Sequence, residues 1–414
     1  MKILVAHEGK QHSFKTAEAL YSKGCLAQYI TTIYDKPYSL TRIIKNLLWG
    51  KNKKKCSSHK SVKLPNDKVT QYCEFQALIR MLISKLPFLK KYNNKCYDWL
   101  HDNFGRKVAE YAVKNNVDAV IMYDTNANSC WKILKAKAPH IKRILDVTIG
   151  NRLYLKYIYE RDATLYPETS IDIMEEQSEV FSLHNQVRLK EEITLSQYFL
   201  AGSNFVKESL EYSGVLSRQI FVVNYGVDLD KFVYTPKGFR KPLALLYTGN
   251  CSYRKGLHHL LNVIKCYSNS DIILYIAGGY DSNSSLYKKY SNDDRINFLG
   301  FVTHDVLHDI YKKSDVFVLP SLAEGFAMVS LEAMSEGLPV ICTKNAGCND
   351  IILDGKNGFI IDASDEDALK NRIDWFLNNS DKIPQMSIAA KKSVENHSWN
   401  DYGENLYNVI TKIL

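Results

Sequence analysis

This sequence predicts an α/β chain with two doubly wound, parallel-sheet domains. Three observations carry the prediction. Short apolar runs of strand length alternate with helical segments along most of the chain, the rhythm of parallel sheets covered by helices on both faces. The 414 residues amount to two or three domains at roughly 100–200 residues each. A stretch from Asp228 to Pro242, with two prolines and one glycine, interrupts the rhythm near the middle, as a linker does.

In order, Lys2–Ala6 reads as a first strand, Ser13–Lys23 as a helix stopped by Gly24, and Leu26–Tyr34 as a second strand. Asp98–Lys114 reads as a helix leading into the strand Asp118–Tyr123, and Ile141–Val147 as another strand. Arg152 to Glu192 is mostly helical and polar with a break at Pro167. Tyr198–Ala201 and Phe221–Asn224 flank the helix Asn204–Ser213. Past the linker, strands are expected at Leu243–Tyr247, Ile272–Ala277, Ile296–Leu299, Asp315–Leu319 and Pro339–Thr343. Helices at Gly256–Tyr267, Asp305–Lys313 and Val329–Glu336 connect them. The expected division is residues 1–235 and 236–396, with a terminal helix within 397–414 returning to the first domain.

Composition excludes several classes. Hydrophobic residues at 45% and charged residues at 24% are ordinary globular proportions. No apolar run approaches the ~20 residues of a membrane-spanning helix, and Met1–His7 is too short for a signal peptide. Nine scattered cysteines without a C-x-x-C pair point to reduced thiols in the cytoplasm and to no zinc site. Charge is uneven. Lys36 to Lys95 holds 15 Lys/Arg against Asp67 and Glu74, a local excess of 13, so the net +9 of the chain leaves −4 elsewhere.

The strongest functional signal runs from Asp315 to Ile361. A buried strand ends at Pro320-Ser321-Leu322-Ala323-Glu324-Gly325-Phe326-Ala327-Met328-Val329, and the helix that follows carries Glu332 and stops at Gly337. Such a turn, at the carboxyl end of a parallel sheet, is where open α/β folds bind ligands. A helix start offers N–H groups and partial positive charge to a diphosphate. Gly325 permits close backbone approach. Glu324 and Glu332 can accept hydrogen bonds from sugar and ribose hydroxyls. Taken alone, the two acids read as a loop charge and a solvated helix residue; the strand, glycine and helix stop around them favour a site. A second turn has the same character: a strand ends at Gly249, then Asn250 and, after three residues, Arg254, Lys255 and Gly256 open a helix. The two cations can neutralise a leaving diphosphate, although in isolation such a pair reads as a solvated helix face.

On these residues the chain resembles glycosyltransferase family 4, with the GT-B fold of two Rossmann-like domains facing a cleft. The resemblance rests on the Glu324–Glu332 pair, Arg254-Lys255-Gly256, Gly337-Leu338-Pro339-Val340-Ile341, Asp354-Gly355-Lys356-Asn357-Gly358-Phe359 and Gly226-Val227-Asp228 with Lys231-Phe232. It covers about Tyr198 to Ile361; before that it is at the level of fold. It implies that Glu324 contacts the donor sugar, Glu332 the ribose, and Arg254 and Lys255 the diphosphate. Amides from Phe326 through Ala327 and Met328 to Val329 support the phosphates, beside Gly249 and Asn250. It also implies retention of anomeric configuration, no metal ion and no cofactor beyond the nucleotide-diphosphate sugar. The chain departs from the family at Asn250, where arginine is usual, and in its first loop, Glu8-Gly9-Lys10-Gln11-His12, which lacks a glycine pair. Tyr123-Asp124-Thr125-Asn126 stands where a histidine is usual. His12, Asp124 and Asn126 are the acceptor-side candidates.

The basic segment suggests where the acceptor lies. Leu40, Ile43, Ile44, Leu47 and Leu48 recur at helical spacing, followed by Trp49 and four lysines from Lys51 to Lys55; Phe75–Leu89 is apolar with Arg80 and Lys85. A basic amphipathic helix suits an anionic membrane surface, each cation there contributing ~1 kcal/mol. An ordinary core helix beside a solvated basic loop is the competing reading, and no nucleic-acid-binding motif is present. The expectation is a transferase acting on a glycan or lipid-linked glycan in polysaccharide, lipopolysaccharide or glycolipid assembly, cytoplasmic and peripheral at the inner face of the plasma membrane. Alternatives of the same fold are a nucleotide-sugar epimerase or hydrolase, and a non-catalytic membrane-docking partner.

Overall fold

A computed structural model describes residues 1–9, 11–47, 59–86, 89, 92–238 and 241–414. Seven strands form the first sheet: β1 (Ile3–Ala6), β2 (Leu26–Thr31), β3 (Val69–Gln71), β4 (Ala119–Tyr123), β5 (Lys142–Val147), β6 (Tyr198–Ala201) and β7 (Ile220–Val222). Six form the second: β8 (Leu243–Thr248), β9 (Ile272–Ala277), β10 (Ile296–Gly300), β11 (Val316–Leu319), β12 (Val340–Thr343) and β13 (Gly358–Ile361). The spatial orders are β3-β2-β1-β4-β5-β6-β7 and β10-β9-β8-β11-β12-β13, and every pairing is parallel. Residues of β1, β4, β8 and β11 are almost wholly buried, which is why these strands read as continuous apolar runs.

Both orders reverse beside the first strand of the set, between β1 and β4 and between β8 and β11. Those are the switch points where adjacent loops diverge and leave a crevice at the carboxyl edge. The first crevice receives His7 and Glu8 after β1 and Asp124 after β4. The second receives Gly249 after β8 and Pro320 to Phe326 after β11.

Strand ends differ from expectation by a few residues, and two strands were not expected. β3 is a three-residue edge of which only Val69 is buried. β13 begins at Gly358, where a Cβ would stand 2.2 Å from the Val340 carbonyl oxygen. Strand packing therefore requires a glycine that reads locally as a turn. The terminal helix, Trp399–Ile413, starts with a capping box of Ser398 and Asp401. It packs on the helix after β1: Tyr402 bonds Thr16 through their hydroxyls at 2.8 Å, and Gly403 packs on Ala19. Among the described residues, no helix is long and apolar enough to cross a membrane.

Candidate functional site

The turn after β8 is built by glycines. Gly249 has φ +140°, and Gly256 has φ +63° with Pro320 so close that a Cβ would lie 1.9 Å from its carbonyl oxygen. β9 is followed by Gly278, where a Cβ would meet the Gly249 carbonyl oxygen at 1.8 Å. These contacts join the β8, β9 and β11 loops into one platform. Gly278 was not singled out in the sequence, although a Gly-Gly pair closing a strand is the signal that marks it.

The platform turns Lys255 and Arg254 toward Glu324. One oxygen of the Glu324 carboxylate lies 2.8 Å from Lys255 Nζ and 3.1 Å from Arg254 Nη1. The three side chains are only 14%, 22% and 12% exposed, so a solvated Arg-Lys pair is not what forms here. Burial alone would raise the Glu324 carboxyl; the two cations outweigh it and hold it below its usual range, ionised at neutral pH. Arg254 also donates to the Ala323 carbonyl at 2.8 Å.

Glu332 lies in the second turn of the helix Met328–Ser335. Burial pushes its carboxyl up to about 7, against the pull of Tyr311 and Lys231. It is therefore not a solvated surface acid but one near its protonation midpoint, facing the segment that joins the sheets. Among the amides from Phe326 to Val329, that of Ala327 bonds to the Ala346 carbonyl at 3.1 Å and that of Met328 to Phe326 at 3.0 Å. Those two already have partners. Asn250 accepts from Tyr247 through its carbonyl oxygen at 2.8 Å.

The close approach at Gly325 is to protein. A Cβ there would stand 1.7 Å from the Thr148 carbonyl oxygen of the first domain, and Ser203 donates to the Gly325 carbonyl at 2.6 Å. On that face the second domain's loop sits on the first domain's crevice. Glu176 of the first domain also reaches across, accepting from the Tyr253 and Arg254 amides at 2.8 and 3.1 Å. It fixes the backbone that presents both cations, and no local sequence pattern marks it.

The acceptor-side candidates line the first crevice, with their side chains engaged internally. His12 Nε2 lies 2.9 Å from Asp146 Oδ2, both buried. Asp124 accepts from the Thr148 amide at 3.0 Å and hydroxyl at 2.7 Å. The Asn126 amide group lies 3.3 Å from both carboxylate oxygens of Glu8 and 2.9 Å from His101 Nδ1, which orients its nitrogen toward the carboxylate, and Glu8 itself bonds His101. Between Asp124 and Asn126, Thr125 has φ +78°, a left-handed conformation that costs a β-branched residue on the order of 1–3 kcal/mol. Buried Glu192 holds it there, accepting from the Thr125 amide at 3.0 Å and the Ala127 amide at 2.6 Å.

Residues 236–393 match the family model described as Glycosyl transferases group 1. The chain is 32% identical over 170 residues to an uncharacterized glycosyltransferase of Methanocaldococcus jannaschii, covering 40% of this chain and 44% of that protein. It is 26% identical over 325 residues to a second uncharacterized glycosyltransferase of that organism, covering 77% and 81%. Several curated relatives are matched over only about half of their length. Among solved structures, an Anabaena protein in complex with UDP superposes with a TM-score of 0.62 at 15% identity, covering 100% of both chains. The two parallel sheets and their facing loops are the GT-B architecture.

Proposed function

We propose that this chain, whose residues 236–393 form a domain of the Glycosyl transferases group 1 family, is a retaining glycosyltransferase. It moves a sugar from a nucleotide-diphosphate sugar to a glycan or lipid-linked glycan acceptor in surface polysaccharide or glycolipid assembly. The observation that carries this reading is the ionised Glu324 carboxylate, held between Lys255 and Arg254 where the two crevices meet. Glu324 accepts hydrogen bonds from the donor sugar's hydroxyls. Lys255 and Arg254 neutralise the diphosphate as the glycosidic bond breaks, which lowers the barrier by preorganised charge. Glu332 accepts from the ribose. The Phe326 and Val329 amides, at the start of the helix Met328–Ser335, face the phosphates, beside Gly249 and Asn250. Cationic side chains in this position remove the need for a metal ion.

The test is nucleotide binding followed by transfer. One nucleoside diphosphate among UDP, GDP and ADP should raise the melting temperature, with or without EDTA. Glu324→Gln should keep that binding while acceptor-dependent release of the diphosphate falls about 10²-fold or more. Lys255→Ala should bind the diphosphate roughly tenfold more weakly. Full transfer by Glu324→Gln, or no diphosphate binding by the wild type, would sink the reading; inverted configuration in the product would remove its stereochemical part.

The acceptor is read as membrane-borne. Leu40 and Ile43 on the helix Leu40–Leu47, and Phe75, Met81 and Leu82 on the helix Glu74–Lys85, are exposed apolar side chains. Not every cation nearby is free: buried Asp35 binds Arg42 and, at 2.5 Å, Lys45. Leu48, Trp49 and the lysines from Lys51 to Lys55 lie outside the described residues. Phosphatidylglycerol vesicles should co-float with the protein, and flotation equal to that on neutral phosphatidylcholine would remove this part.

A further inference from the structure

A cavity of about 460 Å³ opens in the first domain beside Thr125, and its lining takes in none of the loops after β8 and β11. Its wall includes Arg80, Tyr97, Arg152 and Arg188. Arg188 is neutralised by Asp98 at 3.1 Å and Asp102 at 2.8 Å. The other two guanidiniums make no ion pair among the described residues. Arg80 lies over the Tyr97 ring at 4.4 Å, a cation–π contact that holds the guanidinium in the wall without neutralising its charge. Burial pushes the Tyr97 hydroxyl up to about 12, so it remains an O–H donor. The one other acid of the wall, Glu179, is exposed. Two uncompensated guanidiniums, a phenol and a strained threonine therefore converge on one space, an arrangement complementary to an oxyanion.

We propose that this cavity binds a phosphate group of the acceptor. The inference rests on the glycosyltransferase reading and adds the chemical class of the second substrate. Position supports it. Thr125 adjoins Asp124, which holds Thr148; the Thr148 carbonyl abuts Gly325, next to Glu324. A phosphate in the cavity would thus tether an acceptor hydroxyl within reach of the donor sugar. Arg80 stands on the helix that exposes Phe75, Met81 and Leu82, so the phosphate has two possible sources: a soluble phosphorylated acceptor, or a lipid whose chains lie along that helix.

The experiment titrates the whole chain with sn-glycerol 3-phosphate, with glycerol as the neutral control, and with phosphatidylcholine vesicles containing or lacking phosphatidic acid. Glycerol 3-phosphate should bind and glycerol should not. Arg152→Met and Arg80→Met should each weaken binding about tenfold or more, Arg152→Lys should recover part of it, and nucleoside diphosphate affinity should stay within twofold in all three. Arg80→Met carries the test should Arg152→Met not fold. Binding of phosphatidic acid vesicles that exceeds that of the soluble probe and falls in Arg152→Met assigns the site to a lipid; no such gain assigns it to a soluble acceptor. Absent binding of glycerol 3-phosphate, or binding indifferent to both arginines, overturns the proposal. Diphosphate binding without glycerol 3-phosphate binding defeats this inference alone, and the reverse result defeats the donor reading while the anion site stands.

Discussion

Glu192 is a carboxyl that the fold keeps protonated. Burial, with the Asp124 charge nearby, pushes it up to about 8 from 4.5, yet it accepts two amide hydrogens at the lip of the first crevice. Its task is geometric: it holds Thr125 left-handed and the loop after β4 in place. A raised carboxyl favours the folded state most at low pH. The contribution is complete below about pH 4.5 and is lost as pH rises through about 8. Glu192→Gln removes that slope and, because an amide accepts through one oxygen only, leaves one N–H without its acceptor. The variant should be less stable than wild type at about pH 5, and the gap should narrow by about pH 8. Melting curves across that range check the sign; a constant gap would show that Glu192 is already ionised in the folded protein.

The elements show which parts of this fold local sequence can carry. Long apolar strands and their helices were legible because a parallel sheet buries both faces of β1, β4, β8 and β11, and burial writes itself into composition. The two turns that meet at Glu324 and Lys255 were legible for a related reason. Glu324, Gly325 and Glu332 on one side, and Gly249 and Arg254-Lys255-Gly256 on the other, lie on strand-loop-helix turns whose residue types are set by local geometry. β3 and β13 were not legible, one being a short edge and the other opening on a glycine demanded by Val340. Glu176, Thr125 and Glu192 were also hidden. Glu176 is separated from the turn it caps by 77 residues, and Glu192 from Thr125 by 67. No window of sequence shows that such residues meet. The cavity beside Thr125 belongs to the same kind: its arginines come from three different helices.

At the scale of the whole molecule, the domains are fastened at a second place. Asp162, on the helix Arg152–Leu165, is wholly buried and faces His258 and His259 of the helix Leu257–Ile264, at 3.3 and 2.8 Å. Ser364 donates to Asp162 at 2.5 Å, Glu366 bonds the other nitrogen of His259 at 2.9 Å, and the Tyr166 ring packs edge-on against His259. These three groups of His, Asp and His approach one another as metal ligands do, but their facing atoms are already joined by hydrogen bonds. Burial alone would raise the Asp162 carboxyl; bonds from both histidines pull it well below the usual range. Burial alone would lower His259; Asp162 and Glu366 together raise it, while burial keeps His258 low. The depressed aspartate stabilises above about pH 3.8 and loses that contribution as pH falls through its folded value. The raised His259 stabilises fully below about pH 6.5 and loses its contribution as pH rises through its higher folded value. The clasp is therefore strongest in mild acid. Asp162→Asn leaves the imidazoles without their shared anion and should cost on the order of 3 kcal/mol. The loss in urea denaturation should be larger at about pH 6 than at about pH 8, since the charge on His259 is what Asp162 chiefly compensates. Because Asp162 belongs to the first domain and both histidines to the second, the variant should also expand in solution scattering. A stability loss without expansion would place the cluster's effect inside one domain and leave the Gly325–Thr148 and Glu176 contacts as what holds the two crevices face to face.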